Sequence, residues 1–456
     1  MSVLLSTVRF RAAAVVPLAA LLLVALPEAA WGQASALSGS FLMPLEDDAI
    51  RYPTITRNDP VGRLQTRLDH GDAQLEWREP NGYLLSVLAN LGIRVSSQTL
   101  VFSKTSFQQN LISPSAPRAL YFNDDVYIGW VKHGDVVEVS TVDPDKGGVF
   151  YTLDQRPVDK PKFIRHDECL QCHASPKTLG VPGHLVRSVF PDGEGFPQLN
   201  GGSFHTDHSS PLSERFGGWF ITGTHGEARH MGNAIVIDKT KPDEIDREAG
   251  ANVTSLGDRT DLSMYASVHS DLVAHMVLAH QVTMHNLITR VSYETRVAIS
   301  QQEGINKALG RPLHEWSDST RRRIHGTSEV LLKYMLFTEE APLAGPVRGT
   351  SEFAREFAKM GPRDSKGRSL RDLDMDTRLF RYPMSYLVYT EAFDALPGPA
   401  KDYIYRRLGE VLDGKANDKA YASLREQDRR AIREILIDTK PELRARWTPS
   451  ALHRQH

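Results

Sequence analysis

Apolar and polar positions along the chain change their period twice, near residue 119 and again near residue 261. Ahead of the first change the pattern is mixed. Residues 61–68 follow an Asn58-Asp59-Pro60 cap and predict a short helix. Residues 83–91 predict a second one, closed by Gly92. Residues 97–107 are rich in Ser, Thr, Val and Phe and predict extended chain. From Ala119 the period is two, with short β-rich runs at 119–122, 126–131, 136–141 and 149–153. Asn123-Asp124-Asp125, Lys132-His133-Gly134-Asp135 and residues 143–148 separate them as turns. The last of these looks like a calcium loop but lacks its spacing and closing Glu, so it reads as a turn. A loop-rich, Gly- and His-rich stretch then runs to Asn233, with strand-like residues at 217–223 and 234–238. Beyond Asp261 the period is helical: a long amphipathic segment over 262–297, then 320–336, 351–360, 400–412 and 421–437. Pro342, Pro362 and Pro397 fall in the breaks.

The pattern predicts an α+β fold with a short antiparallel meander, a loop region and a mostly α-helical C-terminal half. As segments these are residues 1–32, a leader; 33–118, mixed; 119–240, β-rich; and 241–456, helical.

The leader is read from Arg9 and Arg11, the apolar run that follows them, and small residues ending at Gly32 or Ala36. It predicts export by a Sec-type route to the periplasm or beyond. The run is short and broken by Pro17, so after cleavage at most peripheral membrane contact is expected. In 456 residues, 41% are hydrophobic and 24% charged, the composition of an ordinary globular chain with room for two or three cores. The net charge of −2 carries no basic excess that would argue for nucleic acid.

Both cysteines of the chain lie in one pentapeptide, Cys169-Leu170-Gln171-Cys172-His173. A C-x-x-C can be a redox dithiol, half of a zinc site or a disulfide. A dithiol of the thioredoxin kind calls for a βαβ setting, which the pattern lacks, and zinc would need further ligands from histidine. The terminal His and the leader favour a different reading. The string resembles the haem-attachment motif of c-type cytochromes, and the resemblance covers these five residues. It implies two thioethers to one covalent haem c, with His173 as proximal iron ligand, and a haem-bearing loop region. Two cysteines set a ceiling of one such haem.

Eleven of the seventeen histidines fall between His166 and His285. A low-spin haem needs a second ligand, His or Met; a catalytic haem leaves that place open and lines it with donors. Met231, His280 and His230 are the candidates for the distal position. His205, His208 and His225 are further loop imidazoles, and Gly232 beside Met231 allows close backbone approach. On the long helical segment, His269, Met276, His280 and Met284 fall on one stripe with Leu272, Val273, Leu287 and Val291. Such a stripe can face a porphyrin or can be core.

The expected function is electron transfer by an exported monohaem cytochrome with a redox partner protein. The alternative is a haem enzyme, peroxidase-like or a small-molecule oxidoreductase, with His208 or His230 as acid–base and Arg229 polarising peroxide. A sensor with an open iron is a third possibility. A chain this long around one haem does more than shuttle an electron. No nucleotide-binding glycine loop, nucleophile elbow or H-E-x-x-H helix occurs.

Overall fold

The computed structural model describes residues 42–54, 58–416 and 418–448. The leader expected over residues 1–32 lies outside them. The architecture is α+β. Its sheet is larger than a short meander: seven antiparallel strands in the order β6-β5-β4-β3-β2-β1-β9. These are β1 (Thr99–Val101), β2 (Arg118–Phe122), β3 (Val126–Trp130), β4 (Val136–Asp143), β5 (Gly147–Asp154) and β6 (Phe163–Arg165), with β7 (Arg187–Val189) and β8 (Ser203–His205) forming a separate pair before β9 (Trp219–Phe220). The β4–β5 connection is an Asx turn in which the Asp143 carboxylate accepts from the amides of Asp145 and Lys146.

Alternation divides the sheet into two faces. One face buries Ala119, Tyr121, Ile128, Trp130, Val137, Val139 and Leu153 against the helices Pro60–His70 and Leu84–Asn90. The first of these helices starts where it does because buried Asp59 caps the amides of Val61 and Gly62 and also accepts from the Tyr151 hydroxyl. On the other face Phe122, Tyr127 and Val142 join the core built around one long helix, Leu272–Ala308.

That helix begins ten residues later than the periodicity suggests. Asp271 caps it, accepting from Val273 and Ala274, and its other oxygen takes the amides of Thr350 and Ser351. Leu262 and Tyr265 are apolar for another reason: they pack into the core under the sheet. The helix is also not amphipathic in place. From Leu272 to Thr295 every residue but Thr283 is buried, so the sheet and the helices Asp318–Met335 and Gly398–Leu412 enclose it. His269 precedes it and does not share its stripe. Two extended runs also shrink: only Thr99–Val101 is strand within 97–107, and 234–238 contributes a single bridge, Asp192 to Val236. The helices expected at 320–336, 351–360 and 400–412 are Asp318–Met335, Phe353–Lys359 and Gly398–Leu412, while 421–437 resolves into a turn and Glu426–Thr439. No helix among the described residues is long and apolar enough to cross a membrane.

Candidate functional site

The pentapeptide follows the last strand of the meander at once. Leaving β6, the chain bonds the His166 amide to the Phe150 carbonyl at 2.9 Å, and the His166 Nε2 lies 2.8 Å from the Thr152 hydroxyl. A 3-10 turn, Asp167–Cys169, then runs into the helical turn Leu170–His173. Its two acidic residues are held locally, Asp167 by Arg165 and Glu168 by the His166 Nδ1. Leu170 anchors the turn in a small core with Ile50, Tyr52, Val181, Tyr293 and Val297. Cys172 is exposed, Cys169 is half-buried, and neither is in a disulfide.

The Cys169 thiol does not have the electrostatics of a reactive dithiol's nucleophile. Burial, with Glu168 and Glu138 nearby, pushes the Cys169 thiol up to about 11, whereas nucleophilic C-x-x-C thiols are lowered. Among the described residues no group of three or more His, Cys, Asp or Glu side chains is arranged to hold a metal ion.

His173 is fixed by its backbone neighbour. Its Nδ1–H donates to the Gly183 carbonyl at 2.9 Å, and the Gly183 amide donates back to the His173 carbonyl at 2.8 Å. A carbonyl can only accept, so Nδ1 carries the proton and Nε2 keeps its lone pair. No hydrogen bond engages Nε2 among the described residues. Burial lowers the imidazole below its usual range and keeps it neutral. The ring packs on Phe150 at 4.7 Å.

The other expected site residues lie elsewhere in the network. His280 uses both ring nitrogens inside the helical core: Nδ1 lies 2.8 Å from the His208 Nδ1, and Nε2 lies 2.9 Å from the Ser385 hydroxyl. His230 accepts the Gly232 amide on Nδ1, and its ring lies tilted 4.7 Å from that of His225. Met231 is fully buried with Phe190 and Val236, and its sulfur accepts from the Ser188 hydroxyl at 3.4 Å. Arg229 is paired with Glu248. His205 is exposed on β8 opposite Arg187. None of these imidazoles makes a ring contact with His173 among the described residues.

The imidazole that does is His184, 6.5 Å from His173 between ring centres. It is buried between Tyr127 and Phe150, and neither ring nitrogen has a hydrogen-bond partner. Asn286 of the long helix holds its backbone at both ends, accepting from the amide and donating to the carbonyl. Nothing in the local string Val181-Pro182-Gly183-His184 marks it out, because its setting comes from β3, β5 and residue 286. No protein-family model, curated protein or solved structure matches this chain.

Proposed function

We propose that this chain carries one haem c, joined by thioethers to Cys169 and Cys172 with His173 as its proximal ligand, and that it works as an exported electron-transfer protein with a redox partner protein. The observation that carries this reading is the state of His173. A ligating histidine donates its other N–H to a carbonyl or carboxylate, which fixes the tautomer and raises the basicity of the ligating nitrogen. The Gly183 carbonyl does this for His173, one helical turn from two free thiols. The raised Cys169 thiol argues against the dithiol reading.

When bound, the haem would supply a one-electron couple whose potential is set by its axial ligands, burial and hydrogen bonds. The protein's own residues do the rest. Leu170 and the Gly183 bonds hold the attachment turn against β5, and Phe150 shields one flank of His173 from water.

A cyanide titration of the haem-loaded protein, followed by its absorption spectrum, tests the function. A six-coordinate spectrum indifferent to cyanide supports electron transfer. High-spin iron that takes up cyanide supports the enzyme or sensor instead.

A further inference from the structure

A cleft of about 480 Å3 opens where the long helix begins, within the size range of small-molecule sites. Val273 of the first helical turn, Val347 and Met375 form its floor, each at most 5% exposed. Half-buried Ala354, Ala358 and Leu373 form its walls. Exposed Arg348 and Arg381 and half-buried Asp372 and Asp374 complete the lining. An apolar floor under a few charged groups suits a ligand with an apolar body and a polar head.

Backbone bonds hold these groups in place. The Val347 amide donates to the Met375 carbonyl at 2.7 Å, and the strand Arg348–Gly349 pairs antiparallel with Gly223–Thr224. Gly349 lies against the Asp271 carboxylate that caps the long helix, where a Cβ would come within 2.3 Å of Oδ2. The Arg381 amide donates to the Asp372 carbonyl at 2.8 Å and Leu373 bridges Phe380, so Arg381 and both aspartates share one hairpin. Ala354 and Ala358 stand one turn apart on the helix Phe353–Lys359, and neither has atoms beyond Cβ to fill the space.

The partners of the four charged groups show which charges are already met. Asp372 accepts from the Arg363 guanidinium on one oxygen and the Ser369 amide on the other, both at 3.0 Å. Arg348 pairs with Asp376 at 2.7 Å. Asp374 takes the amides of Asp376 and Thr377 on Oδ1, while its Oδ2 accepts no hydrogen bond among the described residues. Burial acts to raise that carboxyl, but the amide donations outweigh it and hold it below the usual range, so it is charged. Arg381 makes no ion pair among the described residues, and its guanidinium lies 5.8 Å from the Tyr382 ring. One carboxylate oxygen and one guanidinium are left over, both on the lining of one apolar-floored cleft. A guanidinium takes a carboxylate as a fork, and a carboxylate takes an ammonium. We propose that the cleft binds a free α-amino acid with a large apolar side chain, its carboxylate on Arg381, its ammonium on Asp374 and its side chain on the floor. A bare acid or a bare amine would leave one of the two charges unmet. At roughly 30 Å3 for each water-sized group, the volume admits the dozen or so heavy atoms of phenylalanine.

This site does not depend on the haem, and its test is isothermal titration of the full chain, as purified, with L-phenylalanine. The wild type is expected to bind in the millimolar range or tighter. Arg381→Gln and Asp374→Asn are each expected to weaken binding about tenfold or more. Arg381 is exposed, and Asn at 374 keeps the Oδ1 that takes the two amides, so both variants should fold; circular dichroism verifies it. Ala358→Leu fills the cleft from a half-buried helix position and is expected to abolish binding. 3-Phenylpropanoate and 2-phenylethylamine keep the ring but lack one charge each, and both should bind about tenfold more weakly or worse. No uptake of L-phenylalanine at millimolar concentration, or undiminished uptake by Arg381→Gln or Ala358→Leu, overturns the site. Either analogue binding as tightly as the amino acid overturns the assignment of the ligand. Binding in a protein that carries no haem upholds this site and overturns only the function proposed above.

Discussion

The His173 imidazole and the Gly183 carbonyl, 2.9 Å apart, close the chain from residue 173 to 183 into a clamp around one ring nitrogen. Gly183 has no room for a side chain, because a Cβ there would lie 2.2 Å from the Asn286 Oδ1. His173 is thereby tied to the long helix. Asn286 holds His184, His184 follows Gly183, and Gly183 orients His173.

This linkage has a measurable cost when cut. Asn286→Ala leaves the His184 amide and carbonyl buried without partners, at about 1–3 kcal/mol for each group. Urea unfolding is expected to show a loss of roughly 2–4 kcal/mol, below full additivity. The potential of the haem-loaded variant should shift as well. A stability change below about 0.5 kcal/mol would show that this clamp does not hold the segment.

The packing of His280 and Met231 leads to a spectroscopic expectation. His280→Ala opens a cavity and strands the Ser385 and His208 partners, so it should lower stability by roughly 2–5 kcal/mol. Met231→Leu conserves volume and should cost less than about 1.5 kcal/mol. Both variants should keep the wild-type absorption spectrum of the haem-loaded protein. A change from low-spin to high-spin bands in either one would make that residue the distal ligand.

Acid should destabilise the protein well above the usual carboxylate range. Burial lowers His208 and His280 far below the ordinary imidazole range, His275 to about 3 and His285 to about 4. Below pH 6.5 the unfolded chain takes up protons on these four groups that the folded chain refuses. Each contributes about 1.4 kcal/mol of lost stability per pH unit down to its folded value. Asp125 and Glu340 act oppositely: burial raises both to about 7, so they favour the folded state as pH falls from 7 toward 4. Four groups against two leaves a net loss. Urea midpoints measured at pH 7, 6 and 5 should therefore fall steadily, and a flat or rising series would contradict the buried neutral imidazoles.

The elements legible in the sequence are those whose signals are local. The strands at 119–122, 126–131, 136–141 and 149–153 alternate cleanly, and their turns are rich in Asn, Asp and Gly; each lies within two residues of its place, β4 and β5 each running on by two residues into their long hairpin. Pro60 after Asp59 gave the first helix its start in the same way. The long helix starts later than the apolar spacing predicts because Leu262 and Tyr265 continue that spacing while serving the core under the sheet. Its Asp271 cap was readable but masked by that spacing. Its polar residues suggested a wet side, yet Gln281, His285 and Asn286 bond to loops that cover it. For the site, the two cysteines and His173 stand in one string and need no fold to be seen. His184 acquires its setting from β3, β5 and Asn286 of the long helix, which no local pattern encodes.

The intact mass of the protein, purified from the periplasm of a host that matures c-type cytochromes, tests the central claim most directly. The account expects the mass of the polypeptide plus one haem, coloured fractions, and loss of that covalent addition in the Cys169→Ser, Cys172→Ser double variant. A colourless protein at the bare polypeptide mass would contradict it.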